Sequence, residues 1–116
     1  MPYLLLITER LEARRSRSLE EGQEAYARMM RFTEELEARG LRIASDSLRT
    51  QGARVEVRDG KRSVVDGPFA ETKEIVAGFF FLDCKTREEA IAIASECPAA
   101  EWSTVEVREI GPCWEQ

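Results

Sequence analysis

Apolar and polar residues alternate along this chain in a way that marks out most of its elements. Tyr3–Thr8 is short, apolar and ended by charge, which predicts a strand. Glu9–Arg17 is densely charged and reads as an exposed, mobile connection. Ser18 opens a helix, because Ser18-Leu19-Glu20-Glu21 fits the reciprocal capping pattern. Ala25, Met29, Phe32 and Leu36 then fall on one stripe, and Gly40 stops the helix. Strands are predicted over Arg42–Leu48 and Ala53–Arg58. Asp59-Gly60 is a two-residue hairpin signal, with Lys61–Val65 as the returning arm. Asp66-Gly67-Pro68-Phe69 is a turn or loop, and Ile75–Leu82 is a strand centred on three phenylalanines. Thr86-Arg87-Glu88-Glu89 opens a second helix, whose buried side is Ala90, Ile91, Ile93 and Ala94 and which Pro98 closes. Trp102–Ile110 is the last strand, with Val105 and Val107 set against Glu106 and Arg108.

With the hairpin arm counted as an addition, the order is βαββαβ, a ferredoxin-like α+β fold in one domain over residues 1–116. Its antiparallel sheet carries both helices on one face. In Tyr3–Ile7 and Phe79–Leu82 both alternating sets are apolar, whereas a half-solvated strand would alternate with polar residues. The second face therefore needs a cover, and the simplest one is the same sheet of a second copy. A homodimer with two sheets around a shared interior, a dimeric α+β barrel, is expected.

Composition narrows the chemistry without naming a reaction. The formal charge is −5, so nucleic acid is not the expected partner. Histidine is absent, which removes the commonest general base and the commonest metal ligand. The three cysteines, Cys84, Cys97 and Cys113, match no zinc or redox spacing and read as small core or surface thiols. No phosphate loop or dinucleotide fingerprint occurs, so no cofactor is expected. The apolar opening is too short for a signal peptide or a membrane span, so a cytoplasmic location with no membrane partner is expected.

The run Asp66-Gly67-Pro68-Phe69-Ala70-Glu71-Thr72-Lys73-Glu74 resembles the signature of the YCII-related superfamily in its DGPF-domain branch. Tyr3–Ile7, Val57-Arg58-Asp59-Gly60, Ala77-Gly78-Phe79-Phe80, Pro98-Ala99-Ala100 and Val105-Glu106-Val107-Arg108 resemble the surrounding parts of that family. The resemblance implies a dimeric α+β barrel with a cleft between sheet and loops, beside Asp66. It implies no known reaction. Some relatives accompany sigma factors of the extracytoplasmic-function type, and distant ones include lactone isomerases, dehalogenating enzymes and small monooxygenases. A histidine–aspartate pair proposed for some members cannot be carried over, since this chain has no histidine. Glu109 stands where proline usually follows the last match.

Two roles are open to Asp66. It can accept backbone N–H groups in its own turn, with Phe69 as a core plug. It can instead be a general acid/base or ligand anchor at the cleft, where burial would raise its pKa. Lys73 could neutralise an anionic substrate, or simply pair with Glu71 and Glu74 in water. If the valines of Ala53–Arg58 and of the last strand meet the helices, Arg54, Glu56, Arg58, Glu106 and Arg108 face the dimer interior. There they would form an ion network, or Arg54 and Arg108 would grip a carboxylate. Ser45 could add a polar contact, and Phe79 could line the pocket or simply pack. Two functions from different classes follow. One is a small-molecule binding protein or cofactor-free acid/base enzyme of isomerase or lactone type. The other is a non-catalytic module serving a sigma factor or other signalling partner.

Overall fold

The structure is a computed structural model that describes residues 2–67, 69 and 73–114. Six strands run in chain order as β1 (Tyr3–Arg10), β2 (Arg42–Ser47), β3 (Ala53–Arg58), β4 (Lys61–Asp66), β5 (Glu74–Leu82) and β6 (Thr104–Glu109). Three helices join them: α1 (Leu11–Ser16), α2 (Leu19–Ala38) and α3 (Arg87–Glu96), with a 3₁₀ turn at Pro98–Glu101. The main sheet has the order β2-β5-β1-β6, antiparallel throughout, and β3-β4 forms a separate two-stranded arm. This α+β architecture is compatible with the ferredoxin-like arrangement.

Local chemistry explains the helix ends. The Ser18 hydroxyl accepts from Glu21 N–H and the Glu21 carboxylate accepts from Ser18 N–H, both at 3.1 Å. At the other end Gly40 N–H donates to the Glu37 carbonyl and Leu41 N–H to the Leu36 carbonyl, which satisfies carbonyls the helix leaves open. Thr86 caps α3 through Glu89 N–H, but the Glu89 carboxylate takes its bond from Lys85 N–H instead of Thr86 N–H, so the expected reciprocal pair is shifted by one residue.

The core lies between the helices and one face of the sheet. Leu5, Phe80 and Leu82 from the strands meet Phe32 and Leu36 of α2 and Ala90 and Ile93 of α3. Phe32 and Phe80 touch edge to face, with ring centroids 5.3 Å apart. The buried side of α3 is Ala90, Ile93 and Ala94 at i, i+3 and i+4. Ile91 is exposed, which corrects the sequence expectation. A bulge between Ile7 and Thr8 interrupts the β1–β5 register. Beside it, a Cβ on Gly78 would stand 2.9 Å from the Asp46 carbonyl oxygen. Gly78→Ala is therefore expected to push β2 off β5 and cost about 1–3 kcal/mol, read as a lower urea midpoint at unchanged slope.

Two further readings need correction. Glu9–Arg17 is not a loose connection: β1 continues to Arg10 and α1 follows directly. Glu9 obeys the inward alternation of Tyr3, Leu5 and Ile7, and is 5% exposed. The β3 valines do not meet the helices. Val55 and Val57 are 61% and 59% exposed, and Val64 and Val65 on β4 are also exposed. The arm turns at Asp59-Gly60, both with positive φ (52° and 73°), the two-residue turn that matches strand twist. It stands away from the main sheet. The radius of gyration, 16.1 Å, exceeds the about 13 Å expected of a compact chain of this length.

Candidate functional site

The sheet's opposite face is apolar at its centre. Leu4 and Leu6 of β1 lie opposite Phe81 and Phe79 of β5, all half-buried. Arg108 and Glu106 of β6 lie on this face beside Leu4 and Leu6, paired at 3.1 Å. Thus two candidates from the sequence, Phe79 and Arg108, share the outer face.

The inner face opens elsewhere. Between α2 and the β2–β5 half of the sheet lies a cavity of about 320 Å³. Such a volume is at the small end for ligand pockets. Met29, Met30 and Tyr26 of α2, with Phe80 and Trp102, form its apolar lining. Glu9, Arg14 and Arg17 form one polar end, and Arg42, Ser45 and Ser47 line the β2 edge.

The polar end is built around one buried carboxylate. Glu9 Oε1 accepts from Arg14 Nε at 2.7 Å, and Glu9 Oε2 accepts from Arg17 Nη2 at 3.0 Å. The Glu9 side chain is 4% exposed, whereas those of Arg14 and Arg17 are 27% and 22% exposed. Arg14 Nη1 also donates to the Leu48 carbonyl at 2.8 Å, which ties α1 to the end of β2. At the β2 edge, Arg42 Nε donates to Ser45 Oγ at 2.7 Å, and Arg42 pairs with Glu37 at 3.3 Å. Near the far wall Arg28 lies over the Trp102 ring at 5.3 Å and bonds Glu101. That guanidinium holds the Glu101 carboxyl below the usual carboxylate range. Burial pushes the Cys97 thiol up, with its Sγ 4.0 Å from Met29 Sδ. Burial likewise raises Cys84, so neither thiol is prepared as a nucleophile.

The seven residues singled out by the sequence are dispersed. Ser45 alone of them lines the cavity. Asp66 ends β4 opposite Ala53 and is exposed, without the burial expected of a cleft carboxylate. Among the described residues no donor, those of its turn included, reaches its oxygens. Phe69 is half-buried and is no core plug. Its ring lies against Gly67, where a Cβ would come within 2.8 Å, and Arg54 stacks over it at 3.7 Å. The glycine thus makes room for the ring, which stacks against Arg54 of the arm. Lys73 is exposed, and its carbonyl accepts from Leu11 N–H at 3.3 Å. Glu71 lies outside the described residues.

Glu9, Arg14 and Arg17 were missed. Their signal was a charged residue in step with an inward apolar alternation, followed by several arginines. Among the described residues no group of three or more His, Cys, Asp or Glu could hold a metal ion, and no helix is long and apolar enough to cross a membrane.

The sequence model of the YCII-related domain matches residues 1–113. The chain belongs to this family. Another similarity of the YCII-related chain is to an uncharacterized protein of Rhizobium meliloti (strain 1021), 42% identical over 55 residues. That stretch is 47% of this chain and 44% of the relative, so the match spans less than half the length of the curated protein.

Proposed function

We propose that the chain is a small-molecule binding protein of the DGPF branch, working without a cofactor, whose ligand enters the cavity beneath α2. The observation that carries this reading is the cavity itself. It has an apolar wall from α2 and Trp102, with fixed polar groups at one end. The branch assignment rests on the run Asp66–Glu74. A screen of small fragments by ligand-observed NMR tests the site. Binders found with the parent chain are expected to lose about tenfold or more in affinity when Ala25→Trp fills the cavity. Equal binding to the filled variant would remove the cavity as the site.

The chain acts as a homodimer in this reading. Leu4, Leu6, Phe79 and Phe81 give each copy a half-open apolar face, and the valine-bearing arm extends beyond the main sheet. Asp66 shares one side of the arm with Val64 and Val55, so an arm laid on a second copy carries this unengaged carboxylate with it. Acid/base chemistry of isomerase or lactone type would then use Asp66 as its proton-handling group. The exposed valines favour a second reading, an interaction module for a sigma factor or similar partner, in which the arm binds a different protein.

A further inference from the structure

The polar end of the cavity holds unequal charge. Arg14 and Arg17 bring two guanidinium groups to the single carboxylate of Glu9. The third arginine on the lining, Arg42, has its own carboxylate in Glu37. Asp46 also borders the cavity at the β2 edge, but it sits opposite Phe79 in the register, on the strand face that alternation turns outward. Two guanidinium groups thus share one buried carboxylate at the polar end, with the more distant Glu21 carboxylate at the start of α2 also near enough to feel Arg17. Donors are uncommitted as well. Arg17 bonds Glu9 through Nη2, while its Nε and Nη1 bond no described residue. Arg14 bonds Glu9 through Nε and Leu48 through Nη1, which leaves Nη2. Glu9 holds both guanidinium groups in place, and planar guanidinium nitrogens suit the two oxygens of a carboxylate. Away from this end and from the polar β2 edge, the wall is apolar and aromatic, with Met29, Met30, Phe80 and Trp102.

We propose that the cavity takes a small monoanionic amphiphile, a carboxylate on a short aromatic or aliphatic body. The carboxylate meets the uncommitted nitrogens of Arg17 and Arg14, and the body lies against the methionines and Trp102. Glu9 acts as a positioning residue that aims the two arginines. This inference rests on the cavity being the binding site, as proposed above.

Two probes of the same shape separate charge from cavity. Phenylacetate and phenylacetamide are titrated into the full chain at low salt, followed by NMR shifts. Phenylacetate is expected to bind roughly tenfold tighter, and that preference is expected to vanish in Arg17→Met with the amide unaffected. Arg17→Lys is expected to keep part of the preference, which guards against a folding defect in the methionine variant. Ala25→Trp is expected to weaken both probes. Equal binding of acid and amide to the parent chain, or an unchanged preference in Arg17→Met, would overturn the charge assignment and leave the cavity standing. Failure of both probes to bind the parent chain would overturn the cavity reading and this inference with it.

Discussion

Glu9→Ala is expected to lower the unfolding free energy by about 3 kcal/mol. Removing one partner of a buried ion pair costs about 3–5 kcal/mol, because the stranded charge has lost its water without keeping its counter-charge. The Arg14 and Arg17 side chains are 27% and 22% exposed, so water relieves part of that penalty and the lower end applies. The substitution also frees α1 from β1, since both arginines reach back to this one carboxylate. Glu9→Gln keeps the shape and one acceptor oxygen, so a smaller loss is expected. Urea titrations at neutral pH measure both. A loss under ~1 kcal/mol for the alanine variant would mean that the triad is a surface decoration.

Phe79→Arg is expected to convert a dimer into monomers. Phe79 stands opposite Leu6 on the outer face, where a two-fold axis would bring it against its own counterpart's sheet. Each chain would then carry an unpaired cation in the centre of the contact. A central aromatic anchor is commonly worth about 2 kcal/mol or more, and symmetry counts it twice. The resulting ~4 kcal/mol weakens association roughly a thousandfold. Sedimentation equilibrium of parent and variant reads this directly. The ring is only half-buried within its own chain, so the variant is expected to fold, which circular dichroism checks. A parent chain that is monomeric at micromolar concentration would end the dimer proposal.

Much of the fold was legible because its signals are local. Ser18 with Glu21, Gly40, and Asp59-Gly60 act through bonds to residues a few positions away, and each lies where the sequence put it. In β6 the alternation seen in the sequence does sort the faces, as Val105 and Val107 pack against the core that holds Leu5. The arm shows the limit of alternation. Val55 and Val57 against Arg54 and Glu56 is the same pattern whether the apolar side meets a helix or water. Only the topology shows that no described element covers it. The cavity was hidden for a different reason. It joins Glu9, Ser45 and Trp102 from distant parts of the chain, and no spacing rule relates them. Asp66 drew notice through a motif whose glycine and phenylalanine have a packing explanation in the Gly67–Phe69–Arg54 stack.

A two-stranded ribbon has two edges, each with backbone donors and acceptors that no described strand engages. Such edges can recruit further chains into fibrillar aggregates, above all where valines adjoin them. Here Arg58, Lys61 and Arg62 outnumber Glu56, which pairs with Arg58, and the turn residue Asp59, so the tip is net positive. Ribbons approaching tip to tip meet like charge, so the protein's resistance to precipitation should fall as salt screens these cations or as they are neutralised by acetylation or mutation.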